Sequence, residues 1–144
     1  MNADAPTLLP VVYACSGCSD AGELADRIAR QLTCNGSARM SCLAGVGGRV
    51  KSLLTTAKTA ERILVIDGCP ISCARHTLIN AGITRFEHLA LQDLGLRKGS
   101  VPVTPENLAT AVRAAESLLR TPAGYAVGPE FGERIQESPV KVAG

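Results

Sequence analysis

Short apolar runs alternate with longer amphipathic stretches along most of the chain. The clearest run, Ile-Leu-Val-Ile at 63–66, is apolar throughout, as is typical of a buried strand in a parallel sheet. Leu24, Ile28 and Leu32 recur at every fourth position, which predicts the apolar face of an α-helix. Along the whole chain, these two patterns predict strands at 10–14, 38–42, 63–66 and 86–91, and helices at 20–36, 49–60, 70–80 and 105–119.

Residues near the predicted helix ends support these boundaries. Asp20, with Glu23 three positions later, predicts a capping box at the start of the first helix. Pro70 and Pro105 occupy the first-turn position that proline favours, and Thr104 is placed to cap the last helix. The third helix is therefore expected to begin at Pro70, soon after its preceding strand ends.

The alternation of strands and helices predicts the fold class. Consecutive βα units produce parallel strands, and the connecting helices cover both faces of the sheet. We therefore expect an α/β fold of three layers with a mostly parallel four-stranded sheet, Rossmann-like or flavodoxin-like. Residues 1–120 form one predicted domain, and the proline- and glycine-containing segment 121–144 is predicted to be an irregular tail.

The composition of the chain argues against some classes of binding partner. Aromatic residues make up only 3% of the chain and the net charge is +2, which argues against a nucleic-acid surface. No apolar run approaches the roughly 20 residues of a membrane span, and the N-terminal segment lacks the basic region of an export signal. A cytoplasmic protein is therefore expected, with another protein or a small molecule as its partner.

Six cysteines stand out against this aliphatic background. Thiols stay reduced in the cytoplasm, so a cysteine cluster there indicates metal or thiol chemistry more than disulfides. Cys15 follows the first predicted strand, Cys42 ends the second and Cys69 follows the third. Because the carboxyl ends of parallel strands lie at one edge of a sheet, these three thiols are expected to converge there.

The predicted helix that begins beside Cys69 adds a fourth thiol. Cys73 lies four residues further, so both thiols would share one helix face, at an end whose free N–H groups stabilise thiolates. Four thiolates complete a closed tetrahedral zinc site. Cys18 forms a Cys-x-x-Cys pair with Cys15 and is a candidate further ligand. The predicted ligands of one zinc ion are Cys15, Cys42, Cys69 and Cys73.

Two other functions would use the same cysteines. Thiol redox chemistry or sulfur transfer would take Cys15 or Cys69 as the nucleophile, and the resolving thiol would then be Cys18 or Cys73. An iron–sulfur cluster is also compatible, because four cysteines can hold one. Cys34 falls at the far end of the first predicted helix and is expected to take no part.

Other polar residues favour structural interpretations. Asp67 ends a strand and is predicted to cap the following helix. His76 would lie too far along that helix to reach a metal at its start, and His88, within an apolar strand, is predicted to be structural. The glycine-rich segment 42–49 ends in an arginine, as anion-binding loops can, but is predicted to be a structural turn.

Three segments of the chain resemble one known family. They are Tyr-Ala-Cys-Ser-Gly at 13–17, Met-Ser-Cys-Leu-Ala-Gly-Val-Gly at 40–47 and Ile-Asp-Gly-Cys-Pro-Ile-Ser-Cys-Ala at 66–74. Together they resemble the motifs of the DGC-domain family, which is named after the Asp-Gly-Cys triplet and described as zinc-binding. The resemblance covers residues 10–120 and implies a metal-binding role, but it implies no reaction. The residues to which it extends that role are Cys15, Cys42, Cys69 and Cys73.

Overall fold

The structure, a computed structural model, describes residues 8–123. The strands are β1 (Val11–Ala14), β2 (Arg39–Met40), β3 (Ile63–Asp67) and β4 (Glu87–Ala90). The helices are α1 (Asp20–Cys34), α2 (Leu43–Gly47), α3 (Lys51–Thr59), α4 (Cys73–Asn80) and α5 (Pro105–Arg120), with a 3-10 helix at Leu91–Leu94. Within this part of the chain, no helix is long and apolar enough to span a bilayer. Beyond residue 123, the predicted tail lies outside the described residues and stays a prediction.

All four strands run parallel in one sheet, in the order β2-β1-β3-β4. Val11 of β1 lies opposite Arg39 of β2 on one side and Ile63 of β3 on the other. The chain moves outward from β1 to β2 and then crosses back to β3, so the strand order reverses between β1 and β3. The predicted parallel α/β fold is confirmed, and its strand order is the flavodoxin-like one.

Helices cover both faces of this sheet. α1 and α5 pack together on one face, while on the other α2 packs against both α3 and α4. β1 and β3 are buried along their whole length, as central strands of a three-layer fold must be. The largest fully buried side chains are mainly aliphatic and include Tyr13, Leu24, Ile28, Leu32, Leu64, Ile66, Leu78, Phe86 and Leu91. Burying this apolar surface stabilises the fold by roughly 25 cal/mol per Å².

An arginine secures the amino edge of the sheet. Arg62, which precedes β3, donates from Nε and Nη2 to the two carboxylate oxygens of Glu87, each at 2.8 Å. The same guanidinium donates to the carbonyl oxygens of Leu118, Leu119 and Thr121 at 2.8–2.9 Å. Those carbonyls lie at the C-terminal end of α5, where a helix runs out of N–H groups to satisfy its last carbonyls. Arg62 therefore joins the end of α5 to the sheet.

The cap of the first helix differs from the prediction. Ser19, rather than Asp20, caps α1, because its Oγ accepts a hydrogen bond from Gly22 N at 3.0 Å. The Asp20 carboxylate instead accepts hydrogen bonds from Gly99 N at 2.9 Å and Val101 N at 3.0 Å. These hydrogen bonds favour the charged carboxylate and hold the pKa of Asp20 below its ordinary value. Asp20 thus ties the connection before α5 to the start of α1.

Two predictions for the carboxyl edge of the sheet are also wrong. The glycine-rich segment 42–49 contains the short helix α2, where only a turn is predicted. α4 begins at Cys73 instead of Pro70, since Ser72 has a left-handed φ of 54°. A residue in that conformation cannot continue a right-handed helix. Cys69 therefore precedes α4, and it does not lie one helical turn before Cys73 on the same helix.

Candidate thiol site at the carboxyl edge of the sheet

A cavity of about 850 Å³ opens where β1, β2 and β3 end. Three separate connections form its walls: the segment between β1 and α1, the segment between β2 and α2, and the turn between β3 and α4. Its position spans the point where the strand order reverses, which is where parallel α/β sheets generally bind ligands. The thiols that line it are Cys15, Cys18, Cys42, Cys69 and Cys73.

Cys15 is the buried thiol of this set. It directly follows β1, and its Sγ accepts a hydrogen bond from the backbone N of Gly68 at 3.0 Å. The pKa of the Cys15 thiol is raised from its ordinary value of 9.0 to about 11, chiefly by burial. The Gly68 N–H acts in the opposite direction, and the nearby Asp67, Cys69 and Cys73 make smaller contributions that raise the pKa. Cys15 is therefore protonated at neutral pH, and the thiols across the cavity lie close enough to influence its charge.

Gly68 allows the turn after β3 to pass close to α1. A Cβ atom added at Gly68 would lie 2.7 Å from both the carbonyl carbon and the carbonyl oxygen of Ala21. Only glycine fits this gap without displacing backbone. The close approach places the Gly68 N–H against the Cys15 sulfur, so the glycine of the Asp-Gly-Cys triplet helps to orient a thiol from another strand.

Cys42 reaches the cavity as the cap of α2. Its Sγ accepts a hydrogen bond from Gly45 N at 3.3 Å, and its side chain is otherwise exposed. The arginine at the end of this segment points elsewhere, because Arg49 Nη2 donates to the carbonyl oxygen of Asn80 at 2.6 Å. The cysteine and the arginine of this segment therefore do not form an anion-binding pair, in agreement with the structural interpretation.

Cys69 and Cys73 lie on either side of a tight turn. Ser72 N donates to the carbonyl oxygen of Cys69 at 3.1 Å, which closes the turn Cys69–Ser72, and α4 starts at the next residue. Cys73 is exposed and Cys69 is partly buried. The sequence reasoning places both thiols on one helix face, whereas the structure brings both to the cavity by reversing the chain between them.

Asp67 organises this turn from within the sheet. It is 1% exposed, and its two carboxylate oxygens accept hydrogen bonds from Ala74 N at 2.9 Å and Arg75 N at 3.1 Å. These are free N–H groups of the first turn of α4, so Asp67 caps this helix from seven residues upstream. His88 Nε2 lies 2.8 Å from Asp67 Oδ2. The predicted capping role of Asp67 agrees with this geometry, and the partnership with His88 was not predicted.

The remaining candidate residues differ in whether they line the cavity. Cys18 is exposed and lines the cavity beside Cys15, as its position in the Cys-x-x-Cys pair suggests. Cys34 is exposed at the opposite end of α1, away from the cavity lining. His76 lies within α4 and is not among the described residues that line the cavity. Sequence reasoning also missed the non-cysteine lining residues Met40, Ile71 and Lys98, whose spacing carries no signal for a site.

Thiolates are the ligand type that soft and borderline metals prefer, but the sulfurs of these five cysteines do not surround one common centre. Within residues 8–123, no group of three or more His, Cys, Asp or Glu side chains is arranged to hold a metal ion. Zinc–thiolate bonds are about 2.3 Å long, so coordination requires the thiols to move toward a common centre. Exposed Cys42 and Cys73 have the freedom to do so, while Cys15 is held at the base of the cavity.

The fold and site together define a parallel α/β protein whose thiols are collected at the strand-order reversal. The family model of the DGC domain matches residues 11–115, from the first residue of β1 into α5. The chain therefore belongs to the DGC-domain family. The matched region includes all six cysteines and the Asp-Gly-Cys triplet at 67–69.

A curated relative shares much of this region. The anaerobic and virulence modulator AnvM of Pseudomonas aeruginosa strain PAO1 is 44% identical to this chain over 90 residues. The alignment covers 62% of this chain and 69% of the relative. No solved structure matches the chain.

Proposed function

We propose that this protein binds one zinc ion through the thiolates of Cys15, Cys42, Cys69 and Cys73. The observation that supports the proposal is the convergence of these thiols on one cavity at the strand-order reversal. The connections that follow three different strands carry them, so residues far apart in the sequence meet at one cavity. Membership of the DGC-domain family is compatible with a metal-binding role.

The proposed roles of the thiols differ. Cys15 would be the fixed ligand, because its sulfur already lies against the Gly68 N–H in the buried base of the cavity. Cys42, Cys69 and Cys73 would approach from the walls. When bound, zinc would supply a divalent positive charge that favours the thiolate form of all four side chains.

The ion in this proposal is a ligand of a folded chain. The core consists mainly of aliphatic side chains between sheet and helices, and Cys15 is the one member of the thiol set within it. We therefore expect folding not to depend on the ion, in contrast to small zinc domains. This favours a binding or regulatory role in a reducing cytoplasm over a structural zinc. The printed name of the Pseudomonas relative, which describes a modulator, is consistent with such a role.

Metal analysis of the full chain tests the proposal. The protein is purified under reducing conditions without added metal, and its metal content is measured together with its absorption spectrum. We expect one zinc per chain and no visible absorption, and we expect Cys15→Ser and Cys69→Ser each to abolish zinc retention. Cys34→Ser is the matched control and should retain the zinc fully. Full zinc retention by Cys15→Ser and Cys69→Ser would contradict the proposal.

Thiol redox chemistry is the second candidate. It is favoured by the reduced pair Cys69 and Cys73, which lie on either side of one turn. These two thiols would form a disulfide and pass two electrons and two protons to a disulfide-containing substrate. Absence of metal together with a reversible two-electron thiol titration would favour this candidate. Visible absorption with bound iron would instead indicate an iron–sulfur cluster.

A further inference from the structure

A buried carboxylate and a largely buried imidazole lie directly behind the turn that carries two of the cavity thiols. Asp67 ends β3 and His88 lies on the neighbouring strand β4, in register with Val65. Side chains two residues apart on a strand point to the same face, so Asp67 and His88 are diagonal neighbours on one face of the sheet. Their side chains are 1% and 9% exposed. His88 Nε2 lies 2.8 Å from Asp67 Oδ2, and in the tautomer that carries its proton on Nε2 the ring donates a hydrogen bond to that oxygen.

Asp67 fixes both ends of the segment between itself and α4. The backbone of Asp67 is held in the sheet, while its side chain holds the N–H groups of Ala74 and Arg75. The intervening residues include both Cys69 and Cys73, and Ser72 adopts its left-handed conformation there. The positions of these two thiols therefore depend on the orientation of one carboxylate.

His88 restrains that orientation. The Oδ2 atom that faces His88 at 2.8 Å is also the acceptor for Arg75 N at 3.1 Å. A hydrogen bond from the sheet side limits rotation of the carboxylate, whereas helix capping alone does not require a histidine. Burying a polar pair is also costly compared with an apolar pair of similar volume, so the pair contributes little that aliphatic packing could not provide.

We propose that Asp67 and His88 are positioning residues that preset Cys69 and Cys73 for metal binding. The inference rests on the proposed zinc-binding function, which it deepens. Neither residue is proposed as a ligand, because neither is among the described residues that line the cavity and the Asp67 carboxylate is already engaged by Ala74, Arg75 and His88. Residues that orient metal ligands without touching the metal typically change metal affinity 10- to 100-fold when they are replaced.

The test measures zinc affinity by competition with a chromophoric chelator. We expect His88→Ala to weaken zinc binding about 10- to 100-fold. His88→Gln places an amide N–H near the position of Nε2 and should restore most of the affinity. Leu89→Ala, a neighbouring buried residue of β4, is the stability control and should keep wild-type affinity although it destabilises the fold. Wild-type affinity in His88→Ala, or equal weakening in Leu89→Ala, would overturn the inference.

A measurement without metal separates this inference from the proposed function. If the wild-type protein binds no zinc, the proposed function fails. The positioning of the thiols is then judged from the ratio of the alkylation rates of Cys69 and Cys73 in the metal-free protein. We expect His88→Ala to change this ratio and His88→Gln to restore it. An unchanged ratio in His88→Ala would show that the pair does not position the thiols.

Discussion

The two ends of β3 carry opposite kinds of polar site. At the amino end, the Arg62 guanidinium is bonded to both Glu87 oxygens and to three carbonyls of the α5 terminus. At the carboxyl end, the chain continues through Asp67 into a cavity lined by five thiols, most of which are exposed or partly exposed. The same strand thus joins a network in which the polar groups are bonded to one another to a cavity whose thiols face solvent.

This difference separates stability from ligand binding. Groups with fixed partners stabilise the fold, and removing one leaves its partners buried without hydrogen bonds. Groups that face a cavity can exchange solvent for a ligand, and loss of the exposed ones leaves the core intact, whereas Cys15 lies within the core. We therefore expect substitutions at Arg62 to change the free energy of unfolding, and substitutions of the cavity cysteines to change metal content. Asp67 belongs to both categories, because it caps α4 and lies behind the thiols.

The largest effect on stability is expected at Arg62. Arg62→Ala leaves the Glu87 carboxylate, which is 5% exposed, without its bidentate partner. Breaking such a pair costs about 3–5 kcal/mol, so the urea midpoint should fall sharply. Zinc per folded chain should stay at the wild-type value. Arg62→Lys keeps one charge without the planar guanidinium and should give an intermediate loss. A loss below about 1 kcal/mol in Arg62→Ala would contradict the assignment of stability to this edge.

A smaller effect on stability, now combined with an effect on the thiols, is expected at Gly68. Gly68→Ala places a methyl group 2.7 Å from the Ala21 backbone, so the turn and α1 must separate. The expected loss is about 1–3 kcal/mol, with weakened zinc binding as the Cys15 sulfur loses its N–H donor. Gly17→Ala is the control within the same cavity, since its Cβ would have 4.0 Å to the nearest atom, Ser19 Oγ. Equal stability loss in both variants would contradict the steric explanation.

The sequence predicts the layout of the carboxyl edge better than its local geometry. Strand identity follows from apolar runs, and parallel strands bring Cys15, Cys42 and Cys69 to one edge whatever their side-chain rotamers. This is why both the fold class and the convergence of the thiols could be anticipated. The distances between the sulfurs depend on rotamers and on the turn after β3, and neither leaves a periodic signal.

Capping from a distance explains the wrong helix start. Pro70 has the backbone dihedral that suits a first helical turn, so local propensity favours a helix from that residue. In the structure, the N–H groups of Ala74 and Arg75 are satisfied by Asp67, and a turn ending at Ser72 fills the interval. A cap from seven residues upstream lies outside the local window of capping rules. The pairing of Asp67 with His88 likewise depends on strand order and register.

A pH-dependent effect should distinguish Cys15 from the exposed thiols. Burial raises the pKa of Cys15 from 9.0 to about 11 in the folded chain, so folding favours its protonated form. The free energy of unfolding that comes from keeping this thiol protonated is fully present below pH 9 and is lost as pH rises toward 11. Urea unfolding of the metal-free protein across this range should show a decline that Cys15→Ala reduces. In mass-spectrometric alkylation at mildly alkaline pH, Cys15 should be the slowest of the six thiols to react. Rapid alkylation of Cys15 in the folded protein would contradict its burial.

The smallest effect is expected for an arginine whose ion pair lies in solvent. Arg27 Nη2 lies 3.2 Å from Glu23 Oε1 on the surface of α1, and both side chains are more than half exposed. Such a pair within a helix contributes about 0.2–0.5 kcal/mol, and salt screens it. Arg27→Ala should therefore shift the urea midpoint only slightly, and the shift should shrink further in high salt, whereas the loss in Arg62→Ala should persist. If the two arginine variants responded alike to salt, burial of the Arg62–Glu87 pair would not be the cause of its larger effect.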